Sequence, residues 1–101
     1  MARKTARRKL PDGWTQGSVR ELLSLTDEEA TIVEMRVRLA EKVRERRVAK
    51  RMTQQDLARR IRSTQPRIAR LEQADASLEM LIRALCALGV NRREIGKLLA
   101  A

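Results

Sequence analysis

One pattern, occurring four times along the chain, restricts how it can fold more than any other feature. Ser18-Val-Arg-Glu21, Thr26-Asp-Glu-Glu29, Thr53-Gln-Gln-Asp56 and Asn91-Arg-Arg-Glu94 each place a capping side chain three residues ahead of an acid. At the start of a helix the cap oxygen takes an orphan backbone N–H. The acid reaches back to the cap's own N–H, or at least favours the positive helix end. Four such starts in order predict an all-helical chain. The core-forming residues agree: the 101 residues include no Phe and no Tyr, and Trp14 is the one aromatic. Core volume must come from Leu, Ile, Val, Met and Ala, which suits helices better than sheets. The length is one domain's worth of chain.

Helices follow from these starts. A short one is expected over about 19–24. A long one runs from Asp27 to about Lys50, with Ile32, Met35, Leu39, Val43 and Val48 along one side, and with Glu34 and Arg38 at i,i+4. The next covers Gln54 to Ile61 and buries Leu57, Ala58 and Ile61. Another begins after Thr64 and turns Ile68 and Leu71 inward. Leu78 to Leu88 presents Leu78, Leu81, Ile82, Leu85 and Leu88, with Gly89 as its stop. A last helix over about 92–100 offers Ile95, Leu98 and Leu99, the end serving either as core or as a dimer seam. Cys86, among Ala84, Leu85, Ala87 and Leu88, is expected to be buried. Ahead of all these, residues 1–12 read as a basic disordered arm, leaving 13–101 as the domain.

The charge is unevenly placed. The net charge is +10, with 23 Lys and Arg against 13 Asp and Glu. Residues 1–19 hold +4, residues 20–47 are neutral, and residues 48–72 hold +5 from seven cations and two acids. A chain made basic for solubility has no need of such concentration, whereas a nucleic-acid binder has. Other functions close off. Without histidine there is no His general base or His ligand, and one cysteine makes neither a disulfide nor a thiolate metal cluster. No catalytic constellation, metal site or cofactor is implied. The apolar runs are too short to cross a bilayer, and the basic start lacks a secretory signal's apolar stretch, so a cytoplasmic protein is expected.

The decisive stretch is 53–72, Thr-Gln-Gln-Asp-Leu-Ala-Arg-Arg-Ile-Arg-Ser-Thr-Gln-Pro-Arg-Ile-Ala-Arg-Leu-Glu. It reads as helix, tight turn, helix. Ala58 is small where two crossing helices approach, Ile61, Ile68 and Leu71 clamp the pair, and Thr64 caps the second helix. Pro66 lies in that helix's first turn, where a missing N–H costs nothing. The pattern resembles the helix-turn-helix of the XRE family, which includes the lambdoid phage repressors and Cro proteins, over about residues 37–95. The resemblance implies an all-α, five- to six-helix lambda-repressor-like DNA-binding domain that acts as a regulator of transcription. It implies a repressor, bound as a homodimer to a palindromic operator on double-stranded DNA.

Carried over by residue, the resemblance gives Gln54 a DNA phosphate and a bracing role on the recognition helix, and gives Thr64 the cap and a backbone contact. Gln65, Arg67 and Arg70 would face base edges in the major groove, where an Arg fork matches guanine O6 and N7 and a Gln amide matches adenine N6 and N7. Arg47 and Glu72 match a structural ion pair of the family. Arg51 and Arg62 stand where the family often has glycine. Their turns are therefore expected to be slightly remodelled, and their side chains to add cations near phosphates. Arg59 and Arg60 are divided between phosphate and solvent. The leader from Gly13-Trp14 through Leu22-Leu23-Ser24-Leu25 to Glu29 resembles small regulators related to HigA-type antitoxins. That opens an alternative in which the main role is to bind and neutralise a co-encoded toxin. Trp14 is expected to pack the leader on the helical body, and the arm either is a solubility tail or reaches the minor groove.

Overall fold

Every helix in the structure begins on a side-chain cap and, with the exception of the last, ends on the same backbone device. The structure is a computed structural model and describes residues 26–101. The basic arm at 1–12, Trp14, the start at Ser18 and the helix expected over 19–24 lie outside the described residues. Within them are five helices and no strand: α1 Asp27–Ala49, α2 Gln54–Arg60, α3 Gln65–Glu72, α4 Leu78–Ala87 and α5 Arg92–Ala100. The chain divides into two units after Glu34, within α1. The first contributes the opening turns of that helix, and the second, Met35–Ala101, holds the remaining helices.

Three of the predicted starts form reciprocal boxes. Thr26 Oγ1 accepts from the Glu29 N–H while Glu29 accepts from the Thr26 N–H, at 3.1 and 3.0 Å. Thr53 with Asp56 and Asn91 with Glu94 repeat the geometry. Thr64 and Ser77 cap α3 and α4 from one side only, because the third helical residue is Arg67 or Met80 and has no carboxylate to return the bond. At the other ends, α1 to α4 each close with a Schellman turn. The N–H of Met52, Ser63, Asp75 and Val90 reaches five residues back to Arg47, Ala58, Arg70 and Leu85, and the residue before each is left-handed. Those left-handed residues are Arg51, Arg62, Ala74 and Gly89, with φ of 57°, 57°, 67° and 85°. The turns at Arg51 and Arg62 are thus not remodelled. They keep a glycine-like backbone on a non-glycine residue, and Ala74 adds a third such position that sequence reasoning missed.

The core lies within the second unit. Leu39, Leu57, Ile68, Leu71, Leu81, Leu85 and Leu88 are sealed from solvent, with Ala58 filling the close crossing of α2 and α3. Two core assignments are corrected on α1. Ile32 is 40% and Val48 55% exposed. Val48 lies five residues beyond Val43, about 140° round the helix at 3.6 residues per turn, so the buried face continues into Arg47 instead. Cys86 is likewise exposed: α4 turns Leu81, Ala84, Leu85 and Leu88 inward and leaves position 86 outside.

Two measurements follow from the caps. Ala74→Gly relieves a left-handed alanine and should raise the stability by about 1 kcal/mol, read as a melting temperature several degrees higher by circular dichroism. Asp56 is held below the ordinary carboxylate range by the Thr53 backbone N–H, then by the Thr53 hydroxyl and the charge of Arg59. A depressed folded-state value means the cap contributes above the unfolded-state value and is lost as pH falls through the folded one. Asp56→Asn should therefore be the less stable protein at neutral pH, and the gap should close below about pH 4 in acid titrations of unfolding.

Candidate nucleic-acid interface

The α2–turn–α3 unit is positioned by one polar chain that starts on α1. Arg47, on the last full turn of α1, lays its guanidinium between two acceptors. Nη1 donates to the Met52 carbonyl at 2.8 Å, while Nε and Nη2 donate to the two oxygens of Glu72 at the end of α3. The side chains are 13% and 4% exposed, respectively. The hydrogen bond to Glu72 raises the Arg47 pKa further above the guanidinium range, against the opposing effect of desolvation. Gln54, first residue of α2, then donates from Nε2 to the same Glu72 at 3.1 Å and accepts at Oε1 from Gln65 Nε2 at 2.7 Å. The far end of α1, the start of α2 and both ends of α3 are thereby joined through four side chains.

This chain decides where the sequence-predicted residues sit. Gln65 is tied to Gln54, and that bond fixes which end of each amide points inward. Pro66 occupies the first turn of α3 without needing a donor, and Thr64 Oγ1 accepts from the Arg67 N–H. Ile68 and Leu71 fasten the inner side of α3, so Gln65, Pro66, Arg67 and Arg70 fall on its exposed side. Among the described residues neither the Arg67 nor the Arg70 guanidinium has a hydrogen-bond or ion-pair partner. Arg51 and Arg62, also exposed, project from the turns that precede and follow α2.

Three other cations of the basic block, all exposed, lie close to other groups of the chain. Arg59 pairs with Asp56 at 2.6 Å. Arg60 Nη1 donates to the Ala87 carbonyl at 3.3 Å. Lys50 Nζ stands 3.7 Å from the point a Cβ on Gly89 would occupy. The Arg60 contact meets one of the last carbonyls of α4, where a helix's negative end favours cations. Sequence reasoning left Arg59 and Arg60 between phosphate and solvent. The signal for Arg60 is three-dimensional, because the carbonyl it satisfies is 27 residues away.

Two short helices locked across a tight turn, the second presenting unpaired arginines outward, form a helix-turn-helix domain of the kind that binds DNA. A helix-turn-helix family model matches residues 43–95, and the chain belongs to that XRE-type family of DNA-binding regulators. Comparison with curated proteins and with solved structures returns no match. Among the described residues no helix is long and apolar enough to cross a membrane.

The ion pair gives a measurable consequence. Arg47→Met strips Glu72 of its cation while leaving it buried, and should cost about 3–5 kcal/mol in denaturant unfolding. Replacing both partners with apolar residues of similar volume should recover much of that loss, since no uncompensated charge then remains inside.

Proposed function

We propose that this protein is a sequence-specific transcriptional repressor that binds a two-fold symmetric operator as a homodimer. In this reading α3 enters the major groove, and the half-sites lie about one helical turn, ~10 bp, apart. The observation that carries it is the division of labour on α3. One side is sealed by Ile68 and Leu71, and the other holds Arg67 and Arg70 without internal partners on a helix locked at both ends. A guanidinium fork held in place by a rigid helix suits guanine O6 and N7.

Gln65 contributes its remaining amide hydrogen-bonding capacity, since one Nε2 hydrogen is engaged with Gln54. Gln54, half-buried and already bonded on both sides of its amide, acts chiefly as the brace and reaches a phosphate with its second N–H. Arg51, Arg62 and the Thr64–Pro66 segment fall where the strand backbone passes. These contacts set register and most of the affinity, while Gln65, Arg67 and Arg70 set sequence preference.

In-vitro selection from a random duplex library at moderate salt should enrich an inverted repeat. Binding at low salt with no enriched sequence would remove base reading, and enrichment of a single unrepeated half-site would remove the dimer. On the selected site, Arg67→Ala and Arg70→Ala should each lose ~1–3 kcal/mol and relax choice at one base position. An equal loss on every duplex would make the arginine a phosphate contact instead.

A further inference from the structure

Beside the recognition helix lies a depression of about 280 Å³, lined by Arg67 and Arg70 of α3, by Asp75 and Ser77 of the following loop, and by Met80 of α4. Asp75 is out of keeping with this surface. The other carboxylates between Lys50 and Ser77 are both engaged, Asp56 by Thr53 and Arg59 and Glu72 by Arg47 and Gln54. Asp75 is exposed, and among the described residues its carboxylate has no hydrogen bond or ion pair. Its backbone is nonetheless fixed. The Asp75 N–H donates to the Arg70 carbonyl at 2.9 Å, closing the Schellman turn, and Ser77 caps α4 two residues later. The backbone thus places an acidic residue beside the two arginines assigned to the groove, in the same depression.

We infer that Asp75 is a specificity-determining residue that accepts a hydrogen bond from the exocyclic amino group of cytosine, or of adenine, next to the base pair forked by Arg70. This rests on the base-reading role proposed for α3. The chemistry is one of elimination. A carboxylate can only accept, and phosphate oxygens, guanine O6 and N7 and thymine O4 are acceptors too. The amino groups of cytosine and adenine are the donors the major groove offers. Against phosphates and the acceptor edges of guanine and thymine Asp75 is repulsive, so the same residue favours one class of base and disfavours the remainder. Arg70 supplies the adjoining positive charge, and a guanine on one strand with an amino group beside it is the surface complementary to the pair.

The test is the random-library selection run in parallel with the full chain, Asp75→Ala and Asp75→Asn, with helicity and melting temperature confirming that the exposed substitutions leave the fold intact. The expected result is that one position per half-site, cytosine or adenine with the full chain, loses its preference by about tenfold in Asp75→Ala, while positions read by Arg67 and Arg70 keep theirs. In Asp75→Asn, whose amide suits adenine N6 and N7, that position should move toward adenine. An unchanged motif in Asp75→Ala, with tighter binding to all duplexes alike, would overturn the inference and leave Asp75 as a repulsive charge only. If the full chain itself enriches no motif, it is the base-reading function that fails, and the two failures are told apart by that first arm.

Discussion

The buried pairing of Arg47 with Glu72 is the contact on which the arrangement of α2 and α3 depends. It joins residues 25 apart in sequence, and each partner does more than neutralise the other. Arg47 also satisfies the carbonyl of Met52 at the end of the α1 turn, and Glu72 also receives Gln54. Such a pair contributes little net stability over an apolar replacement, because desolvation offsets much of the attraction. Its effect is geometric. With both charges buried, only a narrow set of orientations leaves them paired, and those orientations place α3 against α1 and the start of α2.

Apolar packing alone would hold α2 and α3 together without fixing rotation or slide between them to the accuracy that base recognition needs. Leu57, Ile68 and Leu71 fill the crossing, and aliphatic side chains of this sort tolerate small shifts. The hydrogen-bonded chain from Arg47 through Glu72 and Gln54 to Gln65 does not tolerate them, since a shift of an ångström would break at least one bond. Packing thus supplies the stability and the polar chain supplies the register. The Schellman turns complete the framework by ending α1 to α4 each at a defined residue, even where Arg51, Arg62 and Ala74 bear a steric cost for the left-handed backbone.

Much of this was legible in the sequence because the signals are local. A cap and its acid lie three residues apart, so Thr26, Thr53 and Asn91 announced their helices directly. The apolar periods of α2 to α4 identified Leu57, Ile68, Leu81, Leu85 and Leu88 as core. What escaped depends on contacts distant in sequence or on small angular differences. Ile32, Val48 and Cys86 sit near an apolar stripe but turned out of it. Ala74 carries no composition mark of its backbone conformation, since glycine is the residue normally read as a left-handed stop. The site follows the same division. The helix-turn-helix pattern marked the exposed side of α3, whereas the bond from Arg60 to the end of α4, and the unpartnered state of Asp75, appear only once the chain is folded.

The placement of the cations changes how this domain meets a polyanion at a distance. Of the seven basic residues in 48–72, Arg59 has its charge offset by Asp56, whereas Arg60 donates to a neutral carbonyl and keeps its full charge. Arg51, Arg62, Arg67 and Arg70 are gathered on α3 and in the turns at the two ends of α2. Four exposed guanidiniums gathered on this part of the domain give its field a preferred pole. As the protein diffuses toward a duplex, the torque on this uneven charge rotates it before any atoms touch, so a larger share of collisions arrives with the recognition helix leading. Productive encounter then depends on orientation as well as on total charge, and dissolved ions would slow capture by weakening that torque.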